Sequence, residues 1–596
     1  MRLQRLSGSG PARLVKRWDA ALHTDDAPVV SRIHVTAAVC AAVIAGACSL
    51  WVALRQYGPT VHPDEWGFLL NGQVIIGHAE AQIPTNSFYP AGFGVVTGVM
   101  AWLTGSISGE YRATLLVNFA LCLAVGWLAH RVARNVIGLS RRMSLLAAAL
   151  VFVAPGTVVS SLYAWPETAA RAAFLLFVLG FHRVVRVRSA AAVLLFGLLT
   201  GFMPVLHGRF TLVLFVSCLA ILWLGWRSDL SRIIAMSSVG LSAAAFMVGR
   251  ALNAMVKRDL YAESWSQEGR LLKRLVNPTL WPALVRTMTG QYWYLAVTTC
   301  GLFAVAAYVV WREARQGPVA TIATEPRRMT LTVTGVSVLL LVFTGGLQLL
   351  FGNRGDHLIY GRYVEIVVPV VLLLGCAGFE SQPLRARRAM AVSTFLVPVV
   401  AVTYVLVDMG DGVKGGWSRR AIVYPNIVGF DSLRYLVRPG LLTWGAVGFV
   451  VTGVAWFLSR ARDSRVLLAM VVLLSTSSVW SITHSLSARA DDLRSTTVIP
   501  DYVKSHGGRL IAFDGQIPND AMYYYLRFKI HPLQVVRVYA SGTVWPATGP
   551  AQPVPQGINC VVGLADRPIV HGEWRIVADE KSMERVLWQR VGTDHC

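Results

Sequence analysis

The feature that most constrains this chain is a succession of apolar stretches long enough to cross a bilayer, separated by short arginine-bearing loops. A helix needs about 20 apolar residues to span the hydrocarbon core. Candidate spans fall at roughly 33–54, 113–133, 144–162, 168–182, 189–205, 210–226, 231–250, 293–311, 331–351, 364–379, 388–408, 441–459 and 465–484. Soluble domains carry roughly 25% charged residues; here 15% are charged and 54% hydrophobic. The expected fold is therefore a polytopic α-helical membrane protein with about thirteen transmembrane helices.

Sidedness follows from where the arginines fall. If the apolar stretch 91–105 spanned, the loop holding Arg131, Arg134, Arg141 and Arg142 would face outward, against the positive-inside rule. With 91–105 lying in the interface, the inner loops become those of Arg183/Arg186/Arg188, Arg227/Arg232, Arg312/Arg315/Arg327/Arg328, Arg385/Arg387/Arg388 and Arg460/Arg462/Arg465. The N-terminus is then inside and the C-terminus outside. Residues 1–32 are polar and basic with no early apolar core, and read as a cytoplasmic tail, not a cleaved signal. The net charge of +23 is partly this topology signal; dispersed among short loops, it does not suggest nucleic-acid binding.

Two outer segments remain basic all the same. Residues 251–292 hold Lys257, Arg258, Arg270, Lys273, Arg274 and Arg286 among tryptophans and tyrosines, which suits an interfacial amphipathic helix. Residues 409–440 hold Lys414, Arg419, Arg420, Arg434 and Arg438. Each cation is either part of a solvated face or part of an electropositive rim that meets lipid-linked phosphates. Six of the eight cysteines fall inside spans as small core residues, while Cys560 and Cys596 lie in an outer domain where a disulfide is permitted.

The ionisable groups of the outer face are the candidates for chemistry. Just beyond the first span runs Val61-His62-Pro63-Asp64-Glu65-Trp66, followed by a short helix at about 66–77 and Tyr89-Pro90 leading into the interfacial stretch. Consecutive helical residues point about 100° apart, so Asp64 and Glu65 would not share one spot: one faces an acceptor while the other orients it or bonds the backbone. Glu167 opens the helix after the next outer turn, either as an ordinary favourable helix N-terminal charge or facing the same cavity. His207 and Arg209 sit in a tight turn that could reach an anionic headgroup, or Arg209 simply marks a helix end. Arg362, Tyr363 and Glu365 run into the start of a late span. From about 485 to 596 hydropathy drops, and strands at about 508–514, 534–539, 559–562 and 574–577 with a helix at 519–528 suggest a small α/β domain, without a phosphate-binding glycine loop.

Transfer of a sugar from a polyprenyl phosphate to a hydroxyl needs a carboxylate to accept the acceptor's proton and fixed cations to stabilise the departing phosphate. An acidic pair after the first span, a Tyr-Pro lead into an interfacial helix, a carboxylate in the second outer loop and an Arg-Tyr pair at the mouth of a late span occur here in that order. The combination resembles the GT-C superfamily of lipid-phosphate-sugar-dependent glycosyltransferases, and within it the protein O-mannosyltransferase and aminoarabinose transferase branch, over roughly residues 33–380. The resemblance implies a transmembrane glycosyltransferase domain at 33–484 with a catalytic outer loop at 55–112, and an extracytoplasmic domain at 485–596. It implies Asp64 as base with Glu65 beside it, Glu167 as the second-loop acid (relatives often carry Asp there), and Arg362 and Tyr363 near the donor phosphate. His207, Arg209, Lys273 and Arg274 join that phosphate set on the reading of the residues alone. Asp64, Glu65 and Glu167 could also hold a divalent metal, although the arginine supply makes one unnecessary. The expected partners are a polyprenyl-phosphate sugar and a glycan, lipid or protein hydroxyl of the cell envelope, at the cytoplasmic membrane. The rivals are a flippase or transporter, which predicts internal repeats and midplane charges, and a polymerase or ligase of lipid-linked saccharides with its key residues in a large late loop.

Overall fold

The computed structural model describes residues 30–56, 63–78, 88–227, 230–261, 267–315, 325–350, 360–381, 464–486, 498–506, 510–515, 533–541, 551–580 and 585–596, with a few single positions between them. The membrane part runs α1 (Arg32–Arg55), α2 (Pro63–Ile75), α3 (Gly92–Thr104), α4 (Ile107–Val132), α5 (Arg141–Val153), α6 (Pro155–Val158), α7 (Glu167–Val187), α8 (Ala190–Leu206), α9 (Thr211–Arg227) and α10 (Arg232–Leu260). It continues through α11 (Gln267–Val276), α12 (Trp281–Thr298), α13 (Leu302–Arg315), α14 (Pro326–Leu349), α15 (Val368–Ser381) and α16 (Arg465–Trp480).

Local chemistry explains many of the boundaries. Ser31, Ser106, Ser140 and Ser189 each accept a bond from a backbone N–H of the following helix, supplying one of the partners an exposed helix start lacks. Gly105 and Gly138 take left-handed φ values of 62° and 84° just past helix ends, where a Cβ would be strained.

Among the described residues seven helices are long and apolar enough to cross a membrane, or up to nine if each of two bent pairs is one span. Three shorter apolar helices, Gly92–Thr104, Ala190–Leu206 and Val368–Glu380, add to these. The chain is thus a multi-pass membrane protein; the expected count of about thirteen reaches beyond the described residues, since the span 441–459 and nearly all of 388–408 lie outside them. Two expected spans are not straight. The one at 144–162 bends by 59° where Pro155 starts a new helix, and the one at 293–311 is two helices meeting at 106°. Cys300 and Gly301, both left-handed at φ 48° and 82°, turn the chain at that second break.

The short helix α2 begins at Pro63, three residues earlier than its apolar pattern suggests, because proline fits a helix start where no N–H is needed. It packs on α3 with almost no side chain between them: a Cβ on Gly94 would stand 2.7 Å from that of Asn71, and one on Gly72 would stand 2.6 Å from the backbone nitrogen of Gly98. The other face of α3 leaves Val95, Val99, Trp102 and Leu103 exposed.

The C-terminal part holds α17 (Val498–Ser505) and β1 (Leu510–Asp514), β2 (Gln534–Val538), β3 (Cys560–Gly563), β4 (Trp574–Glu580) and β5 (Arg585–Arg590). The sheet order is β2-β1-β3-β5-β4. The first three strands are parallel, whereas β5 runs antiparallel to both β3 and β4. Strand β5 was not expected. Most of the expected helix at 519–528 lies outside the described residues. A disulfide joins Cys560, at the start of β3, to Cys596.

Candidate active site

Asp64 and Glu65 occupy the first turn of α2, where negative charge meets the positive end of the helix dipole. Their side chains part company. Glu65 is fully buried, and its Oε1 accepts bonds from the Tyr111 hydroxyl and the Ala164 N–H, each at 2.9 Å. It therefore braces α2 against α4 and against the turn that leads into α7. Asp64 keeps 23% of its side chain exposed. Its Oδ1 accepts from the Tyr89 hydroxyl at 2.7 Å, and its Oδ2 is paired with Arg362 Nη1.

Arg362 lies in the one-turn 3-10 helix Gly361–Tyr363, at the start of the descent into α15. Its guanidinium joins three elements. Nη1 meets Asp64, Nε donates to Glu167 Oε1 at 2.5 Å, and the plane lies 4.5 Å over the Trp165 ring. Burial alone would lower the Arg362 pKa, but Asp64 and Glu167 outweigh it and hold the group well above its ordinary value; the cation is permanent. Glu167, the first residue of α7, is 1% exposed.

A second cation stands next to this one. Arg209, in the turn Gly208–Phe210, lies 3.4 Å over the Tyr363 ring, and its Nη1 donates to the Tyr363 carbonyl at 3.0 Å. Its Nε donates to Gln348 Oε1 at 3.2 Å. His207, just before that turn, has its pKa pushed well below the ordinary imidazole value by burial, with Arg209 and Arg362 adding to the effect. It is a neutral neighbour of two guanidiniums, and its Nδ1 has no hydrogen-bond partner among the described residues.

The structure therefore gathers Asp64, Glu167, His207, Arg209, Arg362 and Tyr363 around one place. Glu65 is turned away from it. Arg274 Nη1 donates to the carbonyls of Leu347 and Gln348, both at 3.0 Å, which ties α11 to the end of α14; Gln348 is the residue whose side chain accepts from Arg209. Lys273 is exposed, and no bond among the described residues ties it to the cluster. His62 and the basic segment 409–440 lie outside the described residues. Sequence reasoning gave no role to Tyr111, Trp165 or Arg171, and gave Tyr89 only a place in the Tyr-Pro lead into the interfacial stretch. Arg171 carried a legible signal, being a charge inside an apolar span one helical turn after Glu167.

Among the described residues no group of three or more His, Cys, Asp or Glu could hold a metal ion. The trio considered for one, Asp64, Glu65 and Glu167, does not fit: Glu65 faces Tyr111 and Ala164, and the Arg362 guanidinium occupies the space between the other two. No step below passes through a metal.

No family model matches the sequence, and no curated protein matches it. Solved structures do. ArnT from Cupriavidus metallidurans in the apo state superposes over 94% of this chain and 98% of that one, with TM-score 0.52 and 15% identity. The same protein bound to undecaprenyl phosphate gives TM-score 0.50 at 16% identity, over 94% and 99%. The chain has the GT-C fold. A weaker likeness, TM-score 0.41 at 10% identity over 88% of this chain and 69% of the other, is to the apo oligosaccharyltransferase of Archaeoglobus fulgidus, and carries none of the weight below.

Proposed function

We propose that this GT-C protein transfers a sugar from a polyprenyl-phosphate donor to a hydroxyl of a cell-envelope glycan, lipid or protein, with inversion, on the outer face of the cytoplasmic membrane. The observation that carries this reading is the placement of Arg362 between Asp64 and Glu167, with a second guanidinium, Arg209, alongside. A partly exposed carboxylate beside two fixed cations is the minimal set for such a transfer. Support for the donor class comes from the fold shared with a protein solved with undecaprenyl phosphate.

In this mechanism Asp64 accepts the proton of the acceptor hydroxyl as its oxygen bonds to the anomeric carbon. The bond from that carbon to the phosphate oxygen breaks at the same time, and the electron pair leaves with polyprenyl phosphate. Arg362 and Arg209 stabilise the charge that builds on the leaving oxygens. A phosphate that takes up the Arg362 guanidinium also frees Asp64 Oδ2 to receive the proton, so donor binding prepares the base. Tyr89, donating to Oδ1, keeps the carboxylate oriented while its partner changes. Glu167 holds Arg362 from the opposite side. The catalytic domain is residues 33–484; 485–596 forms the extracytoplasmic domain.

The test is a transfer assay in liposomes with the purified protein, a panel of radiolabelled polyprenyl-phosphate sugars and envelope acceptors. Label should move from the lipid to the acceptor fraction. If no label moves but lipid-linked sugar crosses the vesicle wall, the protein is a flippase and the reading is wrong.

A further inference from the structure

Beneath the candidate active site lies a second ion pair that the proposed reaction does not use. Arg171 and Glu365 are 1% and 2% exposed, with Arg171 Nη2 3.5 Å from Glu365 Oε2. Arg171 Nε also donates to the backbone carbonyl of Glu365 at 3.2 Å, and the Tyr294 hydroxyl donates to Glu365 Oε1. Glycine at 156 makes room for this arrangement, because a Cβ there would run into the Glu365 carboxylate.

The two pairs share a design. Glu167 and Arg171 stand four residues apart on α7, hence on one face. Arg362 and Glu365 stand three apart along the turn into α15. Helix α7 presents minus then plus, and the turn presents plus then minus, so each charge meets its opposite only in one register. A slide of the turn by one rung would set Arg362 against Arg171. A buried ion pair is weak evidence for stability, since an apolar pair of similar volume often does as well. Its better-attested use is to fix register, and here the group whose register it fixes is Arg362.

Resting on the glycosyltransferase reading, we propose that Arg171 and Glu365 are positioning residues: a buried lower rung that aims the Arg362 guanidinium at the donor phosphate and at Asp64. They touch no reacting atom. Their effect is on how well the enzyme holds its donor.

The experiment compares four variants of the full-length protein in detergent and liposomes: Arg171→Met, Glu365→Gln, the two together, and Gly156→Ala. Each single charge removal leaves one buried charge unpaired and should lower the melting temperature by roughly 3 °C. The double variant should recover most of that loss while raising the donor KM about tenfold, with the acceptor KM unchanged. Gly156→Ala, which keeps both charges but displaces Glu365, should raise the donor KM in the same way. A double variant that melts like its single parents, or that recovers stability and keeps a wild-type donor KM, overturns the proposal, as does Gly156→Ala with a wild-type donor KM. Absence of transfer in the wild type would sink the glycosyltransferase reading instead. The melting comparison still decides whether the rung exists, because it is indifferent to what the site catalyses.

Discussion

Glu65 separates bracing from chemistry better than any other residue here. Truncation to Ala removes an ionised acceptor bonded to the Tyr111 hydroxyl and the Ala164 N–H, each at 2.9 Å in a fully buried setting. Hydrogen bonds to charged groups contribute about 1.5–3 kcal/mol each. Glu65→Ala should therefore cost roughly 3–6 kcal/mol and leave two buried donors without an acceptor. Glu65→Gln keeps an oxygen where both donors point and loses only the charge assistance, which roughly doubles such a bond's strength; the expected cost is about 1–2 kcal/mol. Thermal unfolding in detergent and transfer per folded molecule are the two measurements. The Gln variant should melt close to wild type and transfer within about threefold of it, whereas the Ala variant should lose most of its folded population. A Gln variant that melts normally and transfers a hundredfold more slowly would refute the bracing role and place Glu65 in the chemistry.

The neighbouring groups give three further expectations. Arg209→Ala removes a guanidinium held over Tyr363 at 3.4 Å; a hydrogen bond from such a cation to a phosphate contributes about 1.5–3 kcal/mol, so donor affinity should fall roughly thirtyfold, and an unchanged donor Kd would contradict the site. His207 is held neutral by burial and by Arg209 and Arg362, so its folded pKa lies below its unfolded value of about 6.5. The unfolded chain alone takes up that proton, so stability should fall as pH drops from 7 to 5, by at most about 1.4 kcal/mol per unit; His207→Gln should flatten that slope, and an equal slope in both proteins would show that His207 titrates normally. Cys560 and Cys596 close a loop with a sequence separation of 36, so Cys560→Ser should cost the C-terminal domain about 3–4 kcal/mol; domain melting insensitive both to this change and to reductant would contradict it.

Much of the membrane fold was legible because apolar length is the dominant constraint on a spanning helix. The bend at 299–301 was not. Hydropathy sums residue types, whereas the turn there depends on two successive left-handed backbones, at Cys300 and Gly301. Strand β5 escaped for a related reason. Its short apolar core, Val586-Leu587-Trp588, lies between arginines, and Arg585 is polar yet buried because it pairs with Glu580 at 2.6 Å. In the candidate site, the 100° offset between neighbouring helical residues said that Asp64 and Glu65 must differ. It could not say which would face inward, because that depends on Tyr111 and Ala164, 46 and 99 residues away in the chain. The pairing of Arg362 with Glu167, 195 residues apart, is likewise a property of packing alone.

The central claim is that Asp64 takes the acceptor's proton beside a guanidinium that binds the donor phosphate. Single-turnover transfer by Asp64→Asn, with radiolabelled donor already bound, tests it most directly. Asn removes the ion pair with Arg362 but leaves that cation available to the phosphate, so donor binding should be unchanged or tighter. The transfer step should slow by about 10²–10⁴, the usual contribution of a general base. Transfer within a few-fold of wild type by the Asn variant would show that the proton goes elsewhere.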